Sequence, residues 1–489
     1  LVRGRFRADV REAEWCVRRL VEVARRRALA HLRRQIQAVE LPTFAAFLQR
    51  WQHLDPRERL SGASGVETVI RQLAGLGRPA PAWDRDYLPA RVANYNPALL
   101  SQFAASGNWV WMGEARRDST VDTATLSAVR FFERGNGSLW SAAPAGESAA
   151  SLSDDARAVV AALRREGASF LPELQRTTGL GAIAIREALR QLVTQGIATN
   201  DSVEALREVM RLTPFPDRPR KQESDPTRWL PLDFDRSGRP VVQRRPSIRR
   251  LPRWRRPDLP GPASGWVGRW SLLDTPGVRG NVRSEEEAAA EIAQQWLQRY
   301  GVVSRDWWRR ERPPVSWRAI YHELRRLEMR GDVRRGYFVE GLGGAQFALP
   351  DAVERLREVR DSADAPWIVM AASDPANPYS LALDAAPPLP LSRPRGRGAL
   401  LVTRRGRIGM TVEARGRRLS IAPELTDEEI ELATRALAAA LTRSHVAWSR
   451  SPIVESVNGV PVHGSPHVVT LLRAGLRREV NGLRWEPAV

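Results

Sequence analysis

Alternating apolar residues, Val333, Tyr337 and Val339, then Phe347 and Leu349, flank the cluster Gly341-Leu342-Gly343-Gly344, which supplies the positive φ angles a tight reversal needs. This pattern predicts a β-hairpin with one apolar side. Just upstream, Ser316 precedes a helical periodicity in which Ile320, Leu324, Leu327 and Val333 look inward while Arg318, His322 and Arg325 fall half a turn away. A helix followed by a hairpin is the pattern of a winged helix, with Arg334 and Arg335 on its wing. The unit opens at Ser284, where Glu287 completes a capping box ahead of Ile292, Trp296 and Leu297. A short helix from Ser304 carries Trp307 and Trp308, and the whole is expected within residues 263–360.

Two earlier stretches repeat the theme. Residues 152–211 predict three helices: one capped by Ser153, one over 171–177, and one over 182–195 with Ile185, Leu189, Leu192 and Val193 inward. On that last helix Arg186 and Arg190 lie one turn apart on another side, placed to approach a duplex groove. Residues 1–135 predict a helical region closed by strands at Trp109–Met112 and Leu126–Phe132, a further winged-helix-like unit. Residues 212–262 repeat Pro and Arg and read as an extended linker between domains. Within it Arg249, Arg250, Arg253, Trp254 and Arg255 combine cations with a stacking face, the pairing used to bind single strands. From 366 to 489 short strands rich in β-formers predict a small β-barrel. The fold class is α+β: tandem winged-helix (helix-turn-helix) domains followed by a small β-barrel.

Charge narrows the partner. The 489 residues carry 76 Lys and Arg against 56 Asp and Glu, a net charge of +20, which favours a polyanion. Lys221 is the only lysine, a bias that GC-rich coding produces, but coding does not explain the excess of cations over acids. No window approaches the ~20 apolar residues of a membrane span, and no signal peptide is visible, so a cytoplasmic protein without membrane contact is expected. Starting at Leu1, the chain reads as part of something larger. Cys16 alone permits neither an internal disulfide nor a thiolate zinc site. No GxxxxGK[ST] loop occurs, so no cofactor is expected here; ATP and Mg2+ would belong to a motor outside this chain.

The stretch from Arg334 to Pro350, RRGYFVEGLGGAQFALP, followed by Val353-Glu354-Arg355-Leu356 and by Ala372-Ser373-Asp374-Pro375-Ala376-Asn377-Pro378-Tyr379, closely resembles the C-terminal region of the large helicase-related proteins (Lhr). The similarity extends to Arg3-Gly4-Arg5-Phe6 with Glu14-Trp15-Cys16, to Phe47-Leu48-Gln49-Arg50-Trp51-Gln52-His53, to Leu88-Pro89-Ala90-Arg91-Val92 and to Thr199-Asn200-Asp201. A barrel beside tandem winged helices looks like the bacterial DNA glycosylase AlkZ. The resemblance implies a nucleoid-associated DNA-repair helicase whose partner is single-stranded or damaged DNA, or an RNA–DNA hybrid, and which assembles as a homo-oligomer. It also implies base excision, for which Asp374 and Glu486 are the candidate acids, with Asn377 and Tyr379 beside Asp374 to hold a polar ligand. The alternative is a non-catalytic module that binds nucleic acid, oligomerises through its 17 tryptophans and delivers the motor. A sequence-specific regulator is the third option.

Overall fold

Residues 1–7, 10–24, 27, 37–116, 125–140, 152–212, 266–381, 383, 391, 394, 398–443 and 453–485 are described in the computed structural model. After a pair of short strands at Val2–Gly4 and Glu14–Cys16, helix α1 (Leu41–Trp51) buries Phe44, Phe47 and Leu48. Helix α2 (Gly62–Gln72) opens the first unit. The chain then passes Arg78, which bridges antiparallel to Val129, and runs helically from Ala80 to Arg91 with one π turn at Trp83–Tyr87. Helix α3 (Pro97–Ala104) starts on Pro97 behind Asn96, whose side chain accepts a hydrogen bond from the Ala98 amide. The hairpin of β1 (Trp109–Arg116) and β2 (Thr125–Glu133) closes the unit.

The second unit contains α4 (Asp154–Glu166), β3 (Ser169–Phe170), α5 (Leu171–Thr178), α6 (Ala182–Thr194), β4 (Ala198–Asn200) and α7 (Val203–Leu212). Its last strand is β5 (Arg269–Leu272), which pairs with both β3 and β4 and leaves Trp270 fully buried. The Pro/Arg-rich stretch therefore does not join two domains. It leaves and re-enters the same unit, in the place along the chain that a wing occupies, and the boundary expected at residue 263 falls inside the second unit. Proline content marks where regular structure ends; it carries no information about where the strand beyond it pairs.

The third unit is α8 (Glu285–Tyr300), β6 (Val302–Val303), α9 (Arg305–Glu311), α10 (Trp317–Arg330), β7 (Arg334–Gly336) and β8 (Gln346–Ala348), followed by α11 (Pro350–Asp361). Its sheet order is β6-β8-β7, the same as β3-β5-β4 in the second unit, and Arg78–β2–β1 repeats it in the first. Three tandem winged helices result. The third hairpin is shorter than its periodicity predicts, because Gln346 turns inward and its amide bonds the backbone of Phe338 and Val339, freeing Tyr337 to stand 70% exposed.

The last part has β9 (Trp367–Ala371), β10 (Leu400–Arg404), β11 (Arg407–Glu413) and β12 (Arg418–Ile421), helix α12 (Asp427–Arg443), and β13 (Ile453–Val454), β14 (Ser456–Val457) and β15 (Val460–Pro461). Helix α13 (Val468–Arg473), β16 (Arg477–Glu479) and β17 (Gly482–Arg484) end it. One sheet runs β9-β10-β11-β12-β14-β15 and a second β13-β17-β16. No pairing joins β9 to β15 among the described residues, so the expected closed barrel is not found. Alternating strands read alike in a barrel and in an open sheet. Here α12 covers one face with Ile430, Ala433 and Leu437, which buries that face without closure.

The units share their cores. Phe44 and Phe47 of α1 pack in the third unit's core with Tyr300 and Trp307, and Val39 bridges Val339 beside the third wing. The turn at Gly406 (φ +75°) lies so close on α1 that a Cβ there would stand 1.8 Å from the Pro42 carbonyl oxygen. Gly113 likewise lets β1 reach α6, where a Cβ would stand 2.3 Å from the Val193 carbonyl oxygen.

Candidate nucleic-acid interface

Helix α10 stands in the recognition position of the third unit. Ser316 caps it by accepting from the Ala319 amide, and Gly331 ends it in the left-handed region at φ 93°. Ile320, Leu324 and Leu327 anchor its inner side, which turns Arg318, His322 and Arg325, at i, i+4 and i+7, outward along one exposed face. Neither arginine has an acidic partner among the described residues, whereas Arg326 beside them is held by Glu323 at 2.8 Å. On the wing, Arg335 lies over the rings of Tyr321 and Phe347, 5.8 Å from each, and Arg334 bonds Glu354 at 3.1 Å. The basic face thus runs from the helix to the wing at Arg335 and Tyr337.

The other two recognition-position helices are different. On α6, Arg190 is spent on Glu187 and Arg186 lies against the Trp266 ring at 5.8 Å, while the outermost side chain is Ile183, 84% exposed. Apolar spacing located the helix that carries Arg186 and Arg190 but not the acid and the indole that these arginines meet. Helix α3 shows Ala98 and Gln102 outward and no cation. Arg249, Arg250, Arg253, Trp254, Arg255 and Glu486 lie outside the described residues.

Asp374 is wholly buried. Both its oxygens face Arg91, at 2.7 and 2.9 Å, and Oδ1 also accepts from the Ala376 amide at 2.8 Å. Its geometry is that of a brace between the first unit and the loop after β9, not of an acid facing a pocket. Asn377 spends its amide on the Tyr379 amide and the Ala372 carbonyl, and Tyr379 donates to the Gly406 carbonyl at 2.7 Å. Each side-chain polar atom of the two is thus engaged inside the fold. Arg91 continues to Gln52 at 3.0 Å, and Gln52 donates to the Arg299 carbonyl at 2.8 Å.

Next to this network the π turn carries two carboxylates. Asp84 takes the Tyr95 hydroxyl and the Nε–Nη2 edge of Arg207, tying the first unit to the second. Among the described residues Asp86 meets only Arg85, at 2.8 and 2.6 Å, and keeps a sliver of exposure; beside it Tyr87 and Ser373 touch through their hydroxyls at 3.0 Å. Burial pushes the Asp86 carboxyl above its ordinary range; Arg85 opposes this and the charge of Asp374 adds to it. Among the described residues no group of three or more His, Cys, Asp or Glu could hold a metal, and no helix is long and apolar enough to cross a membrane.

Residues 39–131 and 282–368 each match the winged-helix domain of large helicase-related protein. An Lhr helicase/probable uracil glycosylase of Mycolicibacterium smegmatis is 33% identical over 511 residues, across 99% of this chain. The chain belongs to the large helicase-related family. An Lhr helicase/uracil glycosylase of Escherichia coli is 30% identical across 87% of the chain. The chain spans 31% and 26% of these two Lhr relatives. Among solved structures it is similar to the Streptomyces sahachiroi DNA glycosylase AlkZ, with 12% identity and a TM-score of 0.45 over 83% of this chain and 97% of that one. In this Lhr chain, Asp86 and its neighbours are what sequence reasoning missed. The signal was present: Asp84-Arg85-Asp86 sits between Trp83 and Tyr87, directly before the Leu88–Val92 string, and charge enclosed by aromatics on a helix marks polar groups carried inward.

Proposed function

We propose that this chain is the DNA-gripping region of an Lhr helicase, with α10 entering a groove and the wing beside it on the backbone. The observation that supports this reading is the face of Arg318, His322 and Arg325, on the one recognition-position helix among the described residues that turns uncommitted cations outward. Cations not spent on the protein's own acids neutralise phosphates and release counterions, so binding must weaken with salt. Fluorescence anisotropy with labelled single-stranded and duplex oligonucleotides across a salt series tests it. Arg318→Ala and Arg325→Ala should each lower the slope of log K against log salt by about 1. An unchanged slope rejects α10 as the contact.

A second reading, base excision, is favoured by Asp86. Both Lhr relatives bear uracil glycosylase in their names beside helicase. In this reading water adds to C1′ of a deoxyuridine as the C1′–N1 bond breaks. The bonding pair leaves on uracil, which takes up a proton, and a carboxylate accepts the proton that water loses. Asp86, with its raised pKa and remaining exposure, suits that task better than Asp374, which is wholly buried. Uracil-bearing single strands incubated with the chain and then with alkali should break. Asp86→Asn should slow breakage about 100-fold or more without loss of DNA affinity. If Glu486→Gln removes cleavage and Asp86→Asn does not, the role belongs to Glu486. Strands that survive alkali while a control glycosylase cuts them end the excision reading.

A further inference from the structure

Among the described residues, Arg78 is a half-buried cation whose shielded edge holds nothing. Arg78 occupies the first-strand position of the first unit, its backbone locked to Val129 by two hydrogen bonds, at 3.0 and 2.7 Å, so a sheet rather than a loop sets where its side chain goes. Its Nε and Nη2 are both shielded from solvent, and neither has a hydrogen-bond partner. Those two nitrogens form a single edge of the guanidinium. Elsewhere in this chain the same edge grips carboxylates: Arg57 lays it on Asp55 at 3.0 and 2.7 Å, and Arg85 on Asp86 at 2.8 and 2.6 Å. A buried fork without an acceptor opposes folding, and such a group calls for an occupant.

The surroundings say what kind. Arg78 acts on Tyr87 and Arg310, and the acids that act on those two from this side are taken, Asp86 by Arg85 and Asp374 by Arg91, as is Glu114, which lies against Gly77, by Arg130. Arg310 donates to the carbonyls of Asp374, Pro375 and Asn377, so it is no competitor, yet its charge and that of Arg78 act on each other. An acceptor supplied from outside and matched to this edge would offer two parallel oxygens and carry negative charge toward the two cations. Ser373, exposed at the rim and bonded to Tyr87, adds a hydroxyl. We propose that the buried edge of Arg78 is the receptor for a phosphodiester group of the bound strand, where the π turn, α9 and the loop after β9 meet. The identity of the anion as a strand phosphate rests on the DNA-binding reading above; the existence of an anion receptor does not.

Arg78→Met and Arg78→Lys in the full chain test it, with a labelled uracil-bearing oligonucleotide read by anisotropy and with thermal melts in inorganic phosphate and in chloride of equal ionic strength. Arg78→Met should weaken oligonucleotide binding roughly tenfold or more, and Arg78→Lys, which keeps charge but lacks the fork, by nearly as much. Because the edge has no internal partner, the Tm of Arg78→Met in chloride should equal or exceed that of the unmodified chain. Phosphate should raise the Tm of the unmodified chain and not that of Arg78→Met. Oligonucleotide binding unchanged in Arg78→Met overturns the strand-phosphate assignment, and a Tm that falls in chloride makes Arg78 a structural group and overturns the receptor. If the unmodified chain binds no oligonucleotide, the DNA reading fails by itself. The receptor is then decided by phosphate alone, and no Arg78-dependent shift refutes it.

Discussion

A carboxylate's role follows from what holds its oxygens, and at Asp374 the holder is Arg91, itself fully buried. Removing one member of a buried ion pair leaves the other charge uncompensated, which costs about 3–5 kcal/mol, while replacing both with apolar groups costs far less. Asp374→Ala should therefore melt well below the unmodified chain, and Arg91→Met with Asp374→Leu should recover much of the loss; a double variant no better than the single would refute a bracing role. Any cleavage defect of Asp374→Ala should track its melting. Sequence could place Asp374 in a Pro-punctuated loop, because that signal is local. It could not show Arg91, 283 residues away, and so a brace read as a candidate acid. Arg78 was illegible for the same reason: what matters about it is an absence of partners, which only packing reveals.

At the level of elements, local chemistry was the legible part. The Ser284–Glu287 capping box forms as its spacing predicts, with Ser284 N to Glu287 at 2.9 Å and Glu287 N to Ser284 at 3.2 Å, and the α10 face emerges from its 3.6-residue period. Strand partners were not legible, and β5 is the instructive case. Only four residues long, it follows a stretch of more than fifty residues rich in Pro and Arg, yet its Trp270 fills the centre of the second unit against Trp111 of the first. Trp270→Ala should cost about 3–5 kcal/mol. The damage should show in amide hydrogen exchange at β3 and β4 before it shows at β7 and β8. If protection falls first in the third unit, β5 belongs to that unit and its pairing with β3 and β4 is refuted.

Across the whole molecule, a buried ion pair sits where the first unit meets the third. Glu311 receives Arg299 at 2.6 and 2.5 Å, the Trp296 indole at 2.9 Å and the Tyr300 hydroxyl, while Arg299 also reaches the carbonyls of Gln72 and Ala74 across the junction. Burial alone would raise the Glu311 carboxyl, but the charge of Arg299 and these bonds outweigh it and hold the group below its ordinary value of 4.5. A carboxyl with a depressed folded pKa contributes stability that is fully present above the unfolded value and lost as pH falls through the folded one. Glu311→Gln should therefore be less stable than the unmodified chain at pH 7, by about 3–5 kcal/mol since Arg299 is left unpaired. The gap should narrow as pH drops below about 4.5. Urea titrations of both chains at several pH values measure it, and a gap that stays constant would mean the carboxyl is not depressed. Because Val110, Met112 and Phe132 of the first unit lie in one core with the third unit, calorimetry on Glu311→Gln should move the transition of the first and third units together, where independent modules would split into two.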